Sequence, residues 1–398
     1  MAISAAAGSR TLPERPPISA PRRQCLRETS GARSARFGGQ PGLGLIGLTL
    51  VVPVLLFLGL GWGGAERSLL VLGPMSTFAL PLIAMIAFWW EDWPGTMLRA
   101  PLTGLADTVL VAMGGVLLTV AGQALVGNVD LRGVFDPGAV SGHAPTFPAT
   151  MPVAGAVFVA MLELTLVSEG WPLRRLNRYA GGLIALATAW AIGVGLYLAL
   201  VDFQPAAGSG LHARHGPVAG AQLGAALVCI GVLQVGFFVV LRGWPFVGIV
   251  SRALRLASAN AAVLGGGCLA YLALAGLADI EPALISAGAG SVVASGLVVG
   301  MLFEGALDAR LAAGRARLAN FAAVAALAAV IYLGLKAFAD TARWTRAQPE
   351  EWIAFAGLNA LGAGVILHVA IGRRWPFTRW QPSRGSRQPA ARRLEFGP

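Results

Sequence analysis

Apolar runs of about 20 residues, each ended by a short polar or Pro/Gly-rich break, follow one another from residue 42 to residue 372. A bilayer's hydrocarbon core is about 30 Å thick, and a helix rising 1.5 Å per residue crosses it in about 20 residues. Ten segments meet that length: 42–62, 68–90, 102–126, 150–168, 180–202, 219–241, 256–278, 282–303, 317–338 and 352–372. They are long and lack the period-two alternation of barrel strands, so they predict helices. The fold class is all-α, a polytopic helical membrane protein of about ten transmembrane helices. The run after residue 40 ends without a small-residue cleavage site and reads as an uncleaved first span.

The polar breaks repeat. Even-numbered runs close on a Trp-Pro step at Trp93-Pro94, Trp171-Pro172, Trp244-Pro245 and Trp375-Pro376, while the eighth closes on Phe303-Glu304-Gly305 without one. Odd-numbered runs close on a Tyr-Leu-x-Leu pattern followed by an acid: Tyr197 to Asp202, Tyr271 to Asp279 and Tyr332 to Asp340. The third run keeps Asp130. The spacing predicts five helical hairpins at 42–99, 100–179, 180–255, 256–315 and 316–377. Two spans per copy give every copy the same orientation, so the repeats are expected to be parallel rather than inverted. The Trp-Pro step reads as punctuation: indole rests at headgroup depth, and proline disfavours helical geometry at the residue before it.

Composition excludes a soluble globular protein. The chain is 56% hydrophobic and 12% charged, with a mean hydropathy of +0.68, whereas soluble domains carry roughly twice that charged fraction. The net charge of +11 comes almost wholly from arginine, with Lys336 the single lysine. Many of the arginines sit in two Pro/Gly/Ser-rich tails, 1–40 and 378–398, expected to be disordered and to flank a bundle at 41–372. Nucleic-acid binding would need a basic soluble face, so the expected partners are the lipid bilayer and, at the tails, anionic lipid headgroups. Arginine gathers on the Trp-Pro side of the spans and acid on the other. The positive-inside rule then puts both termini in the cytoplasm of a bacterial cell membrane. Cys25, Cys229 and Cys268 imply no disulfide framework.

Ionisable residues inside spans are costly and are the default functional candidates. Glu163 lies eight residues before Trp171, about 12 Å along the helix. Gln234, His368 and Asp107 lie at similar depth, with Asn260 and Asn320 nearer the ends. If the helices surround a common axis, this stratum faces one cavity. Two readings compete for it: a proton or ion relay with Glu163 and His368 as the titrating pair, or interhelical hydrogen bonds that fix packing, and the second is favoured. His212, His215 and His143 have a weak metal-ligand spacing on Gly/Pro-rich loops, and no metal site is assigned. Small-residue stripes in the seventh and eighth runs, such as Gly265-Gly266-Gly267 and Ser291/Ser295, read as close helix packing.

No nucleotide loop, paired CxxC, HExxH or GxSxG motif occurs. No catalytic residue and no cofactor is expected, and an enzyme is disfavoured. The first functional expectation is a transporter or permease for a small solute or ion. The alternative is a non-catalytic accessory or scaffold subunit of a membrane complex.

Overall fold

A computed structural model describes residues 39–60, 63–99, 102–127, 129–137, 142–143, 146–202 and 216–377. The expected disordered tails, apart from residues 39 and 40, lie outside the described residues, as do Cys25, His212 and His215. The described residues are helical apart from connections and one isolated bridge between Val201 and Val218. Among the described residues, eight helices are long and apolar enough to cross a membrane, the pattern of a multi-pass membrane protein: α2 (Ala65–Trp89), α3 (Leu102–Leu125), α5 (Arg178–Leu200), α6 (Gly220–Val240), α7 (Arg252–Leu277), α8 (Pro282–Leu302), α9 (Ala313–Ala339) and α10 (Pro349–Ile371). Two further apolar helices, α1 (Gly42–Phe57) and α4 (Met151–Val167), are shorter. Each expected run is therefore helical over its described residues; α1 continues as helix to Leu60, where description breaks off before residue 63.

Starts and stops follow local chemistry. Asn177 and Ser251 accept hydrogen bonds from the amides of Ala180 and Leu254 and so cap α5 and α7. Pro282 and Pro349 occupy first-turn positions, where a missing N–H costs nothing. Pro74 and Pro81 do not break α2; the Ser76 and Thr77 hydroxyls donate to Gly73 O beside the first of them.

The even-numbered helices share one ending. Each closes with a widened turn whose last amide reaches back five residues: Trp90 to Met85, Ser168 to Glu163, Leu241 to Gly236, Phe303 to Val298 and Gly372 to Leu367. Two left-handed residues follow in every case: Glu91-Asp92, Glu169-Gly170, Arg242-Gly243, Glu304-Gly305 and Arg373-Arg374. Three of the second positions are glycine, which adopts positive φ without a Cβ clash, whereas Asp92 and Arg374 adopt it under strain.

Contacts sort the helices into two layers. Helices α2, α4, α6, α8 and α10 touch in that order, and α10 returns to α2, which closes a ring. Outside it, α3 packs on α2, α5 on α4, α7 on α6, α9 on α8, and α1 on α10. Burial agrees: the most apolar stretches of α2, α6, α8 and α10 are 78%, 61%, 44% and 61% buried, against 22%, 22%, 11% and 17% for α3, α5, α7 and α9. Each of these four outer helices buries a stripe at every fourth residue, such as Ala185, Ala189, Gly193 and Tyr197 on α5. Small residues there let helix backbones approach closely. A Cβ on Gly193 would stand 2.9 Å from the Val157 nitrogen, and one on Gly267 would stand 2.6 Å from Ile230 Cα. In α8, a Cβ on Gly296 would stand 2.6 Å from Val235 Cγ1 in α6.

Two alanine substitutions on α5 separate packing from helix propensity. Gly193→Ala should lower the melting temperature of the detergent-purified protein, the overpacking costing about 1–3 kcal/mol. Gly195→Ala, with nothing within 4 Å of the new Cβ, should be neutral or slightly stabilising. Equal melting temperatures for the two variants would contradict the assigned α4–α5 contact.

Candidate functional site

A closed ring of five cylinders has a hole. Helices about 10 Å across, in contact around a pentagon, leave an axial gap about 7 Å wide before side chains enter it. Here the gap is kept partly empty. A cavity of about 140 Å³ runs inside the ring and is lined by residues of all five inner helices. Its lining extends along α6 from Gly224 to Val239, about 22 Å of helix. Five glycines line it, and three of them, Gly155, Gly224 and Gly231, leave open space, whereas a Cβ on Gly290 or Gly362 would meet a leucine side chain at 2.9 or 3.4 Å. A Cβ on Gly224 would meet nothing within 4 Å, and those on Gly155 and Gly231 would make ordinary contacts at 3.8 and 3.9 Å.

The lining is apolar except for the side chains of Thr77, Ser286 and Asn359. Thr77 is the midpoint of α2, and Asn359 lies near the middle of α10. Asn359 Nδ2 donates to Thr77 Oγ1 at 2.7 Å and to Phe355 O at 3.0 Å, while the Thr77 hydroxyl donates to Gly73 O. At the acid-rich end, Phe147 is buried and its ring packs 5.9 Å from that of Phe355. The Tyr197 hydroxyl donates to Ala149 O in the same segment.

At the Trp-Pro end the left-handed residues form a belt of ion pairs. Glu304 pairs with Arg374, Arg373 with Asp92, Glu91 with Arg178, Glu169 with Arg255 and Arg252, and Arg242 with Asp308. Each link ties one inner-helix ending to the next unit around the ring. The Glu169–Arg255 pair is the most enclosed, with both side chains about one-tenth exposed, and it resists screening better than the open pairs. Burial pushes the Asp92 carboxyl up to about 6; Arg373 opposes that rise and Asp107 adds to it.

The stratum inferred from sequence lies outside the cavity lining. Glu163 sits between α4 and α6, where Gln234 Nε2 donates to its Oε2 at 2.6 Å and to Val159 O at 3.0 Å. Asp107 is fully buried on α3 and accepts from the Gly95 amide at 2.8 Å. Asn320 plays the matching part on α9, donating to Asp308 at 3.2 Å. His368 is buried between α10 and α1, where a Cβ on Gly47 would reach its ring at 3.3 Å. The structure brings Glu163 and Gln234 together, and no hydrogen bond or ion pair among the described residues joins either of them to His368 or Asp107. Asn260 accepts from the Ser168 hydroxyl at 3.4 Å. His143 pairs with Asp130 at 2.8 Å; the Gly133 amide and then the His143 ring hold the Asp130 carboxyl below its usual range. Sequence reasoning passed over Thr77 and Asn359, for which the available signal was a polar residue at mid-span on an even-numbered helix.

Comparison with known proteins finds no matching family model, no matching curated protein and no matching solved structure.

The Asp92 carboxyl gives the belt a pH signature. Its folded pKa, about 6, exceeds the ordinary value of 3.8. Its contribution to stability is therefore complete below 3.8 and is lost as pH rises through 6. Melting temperatures of wild type and Asp92→Asn should diverge in favour of wild type as pH falls from 7 to 5. A constant difference across that window would contradict the assignment.

Proposed function

We propose that the chain is a ten-span protein of a bacterial cytoplasmic membrane, built from five parallel hairpins with both termini inside, and that it passes a small solute through the lumen of its inner ring. The observation that carries this reading is the cavity itself, about 140 Å³ and lined by all five inner helices. A ring serving only as a scaffold gains nothing from glycines that keep its axis empty, since filling a core void is stabilising. The short helix α4 fits the same bilayer by local thinning or tilt of neighbours, at a modest cost per ångström of mismatch. Lipid surrounds the outer layer, where large apolar side chains such as Met113, Leu269 and Leu333 are exposed.

An apolar lumen argues for a neutral solute over a bare ion, because desolvating a charge without compensating ligands is prohibitive. Glu163, Gln234, Asp107 and His368 are proposed as ties between neighbouring segments rather than as a relay. For Glu163 and Gln234 the support is their mutual hydrogen bond between α4 and α6, and for Asp107 its bond to Gly95.

Flux into phosphatidylcholine vesicles containing the purified protein tests both points. Gly231→Leu should place its side chain in the lumen and cut protein-dependent permeation of small neutral solutes at least tenfold, with little change in melting temperature. Glu163→Gln should leave that permeation and its pH dependence unchanged. Unaltered permeation in Gly231→Leu would refute the lumen pathway, and a lost pH dependence in Glu163→Gln would restore the relay.

A further inference from the structure

The cavity's polar chemistry is one-sided. Both hydrogens of Asn359 Nδ2 are committed, to Thr77 Oγ1 and Phe355 O, and the Thr77 hydrogen is committed to Gly73 O. Asn359 Oδ1, by contrast, has no hydrogen bond among the described residues. An amide oxygen accepts up to two. The two commitments also fix which end of the amide is nitrogen, so the group cannot rotate to offer a donor without breaking both bonds. The result is a hydrogen-bond acceptor at mid-span, with the Ser286 hydroxyl, near the start of α8, as the remaining uncommitted donor of the lining side chains.

This balance selects among solutes. An anion needs several donors, and the lumen has one, far from the midpoint. A cation needs a shell of oxygens, commonly six or more for the hard metal ions, and the lining side chains hold three. A neutral molecule with an N–H or O–H group meets the acceptor it needs and leaves its apolar part against glycine and aliphatic side chains. Size sets an upper bound: an engineered cavity of about 150 Å³ accepts benzene.

We propose that Asn359, oriented by Thr77, is the recognition point for uncharged solutes up to about benzene's size that donate a hydrogen bond. The inference rests on the lumen being a solute pathway. It deepens that reading by naming the substrate class. Thr77 is a positioning residue: without its hydroxyl oxygen one Nδ2 hydrogen is released, and the site can then also serve acceptor-only solutes.

Propionamide and N,N-dimethylformamide test this directly, since they are isomers and the first alone carries N–H donors. The full-length protein in phosphatidylcholine vesicles should increase propionamide permeation about fivefold more than dimethylformamide permeation, the discrimination expected for one net hydrogen bond. Asn359→Leu should abolish the preference, and Thr77→Val should reduce it by admitting dimethylformamide. Equal acceleration of the two isomers by wild type, or a preference retained in Asn359→Leu, overturns the proposal while leaving the pathway intact. If Asn359→Leu does not fold, Thr77→Val decides: a lowered preference supports the proposal and an unchanged one overturns it. If wild type accelerates neither isomer, the pathway reading fails for these solutes and binding decides the recognition claim. Saturation-transfer NMR on the detergent-purified protein should show propionamide contact that Asn359→Leu or Thr77→Val weakens; no contact, or the same contact in wild type and variants, overturns it.

Discussion

Five helices closed into a ring cannot touch along their common axis. Four leave a gap that ordinary side chains fill, whereas five leave one wide enough to hold a small molecule unless bulky side chains are spent on it. The chain places glycine at that axis on α4, α6, α8 and α10, and the cavity follows from this choice. The two-layer arrangement follows as well. With the inner helices engaged on both flanks, each outer helix meets the bundle along a narrow line, and a single stripe of small residues at every fourth position is enough to seat it. The low burial of α7 and α9 is the consequence.

Closing such a ring also requires that the helix endings agree in geometry. The shared ending does this. A widened last turn and two left-handed residues place a charged side chain at each of the five inner-helix termini, and each pairs with an opposite charge on the next unit: the α8 and α10 endings and the α10 and α2 endings pair directly, while Glu91, Glu169 and Arg242 reach Arg178, Arg255 and Asp308. Surface ion pairs individually contribute little, about 0–1 kcal/mol. Their effect here is on register: each pair forms only when the inner-helix ending and its partner in the next unit lie at the same level. Strain at Asp92 and Arg374, the two second positions without glycine, falls at the ends of α2 and α10, where Asp92 pairs with Arg373 across the closure and Arg374 pairs with Glu304 of the α8 ending.

How much of this was legible in the sequence depends on what the bilayer constrains. Its thickness imposes a length on every crossing helix, so the positions of the apolar runs could be read directly, though α4 is slightly shorter than the run that predicted it. The recurrence of Trp-Pro steps flagged endings that do share one backbone geometry. Layer order was not legible: a membrane helix is apolar on every side, so the faces toward lipid, neighbour and lumen have similar compositions. The candidate site was legible for a related reason only in part. Screening for ionisable residues finds Glu163, Asp107 and His368 because they are costly in a span, yet all three lie in helix contacts outside the cavity lining. An apolar cavity leaves a weaker trace, here a few glycines, a threonine and an asparagine among many similar residues.

Ring closure between α2 and α10 is the central claim, and a disulfide can measure it. A Cβ built on Gly73 lies 3.8 Å from Phe355 Cβ, the mean separation in disulfides. With Cys25, Cys229 and Cys268 replaced by serine, the double variant Gly73→Cys/Phe355→Cys should form an internal disulfide on mild oxidation in membranes, detected by a mobility shift that a reductant reverses. If the two cysteines stay unlinked under oxidation while each still reacts with a small thiol reagent, α2 and α10 are not neighbours, and the ring, its lumen and the pathway through it do not exist.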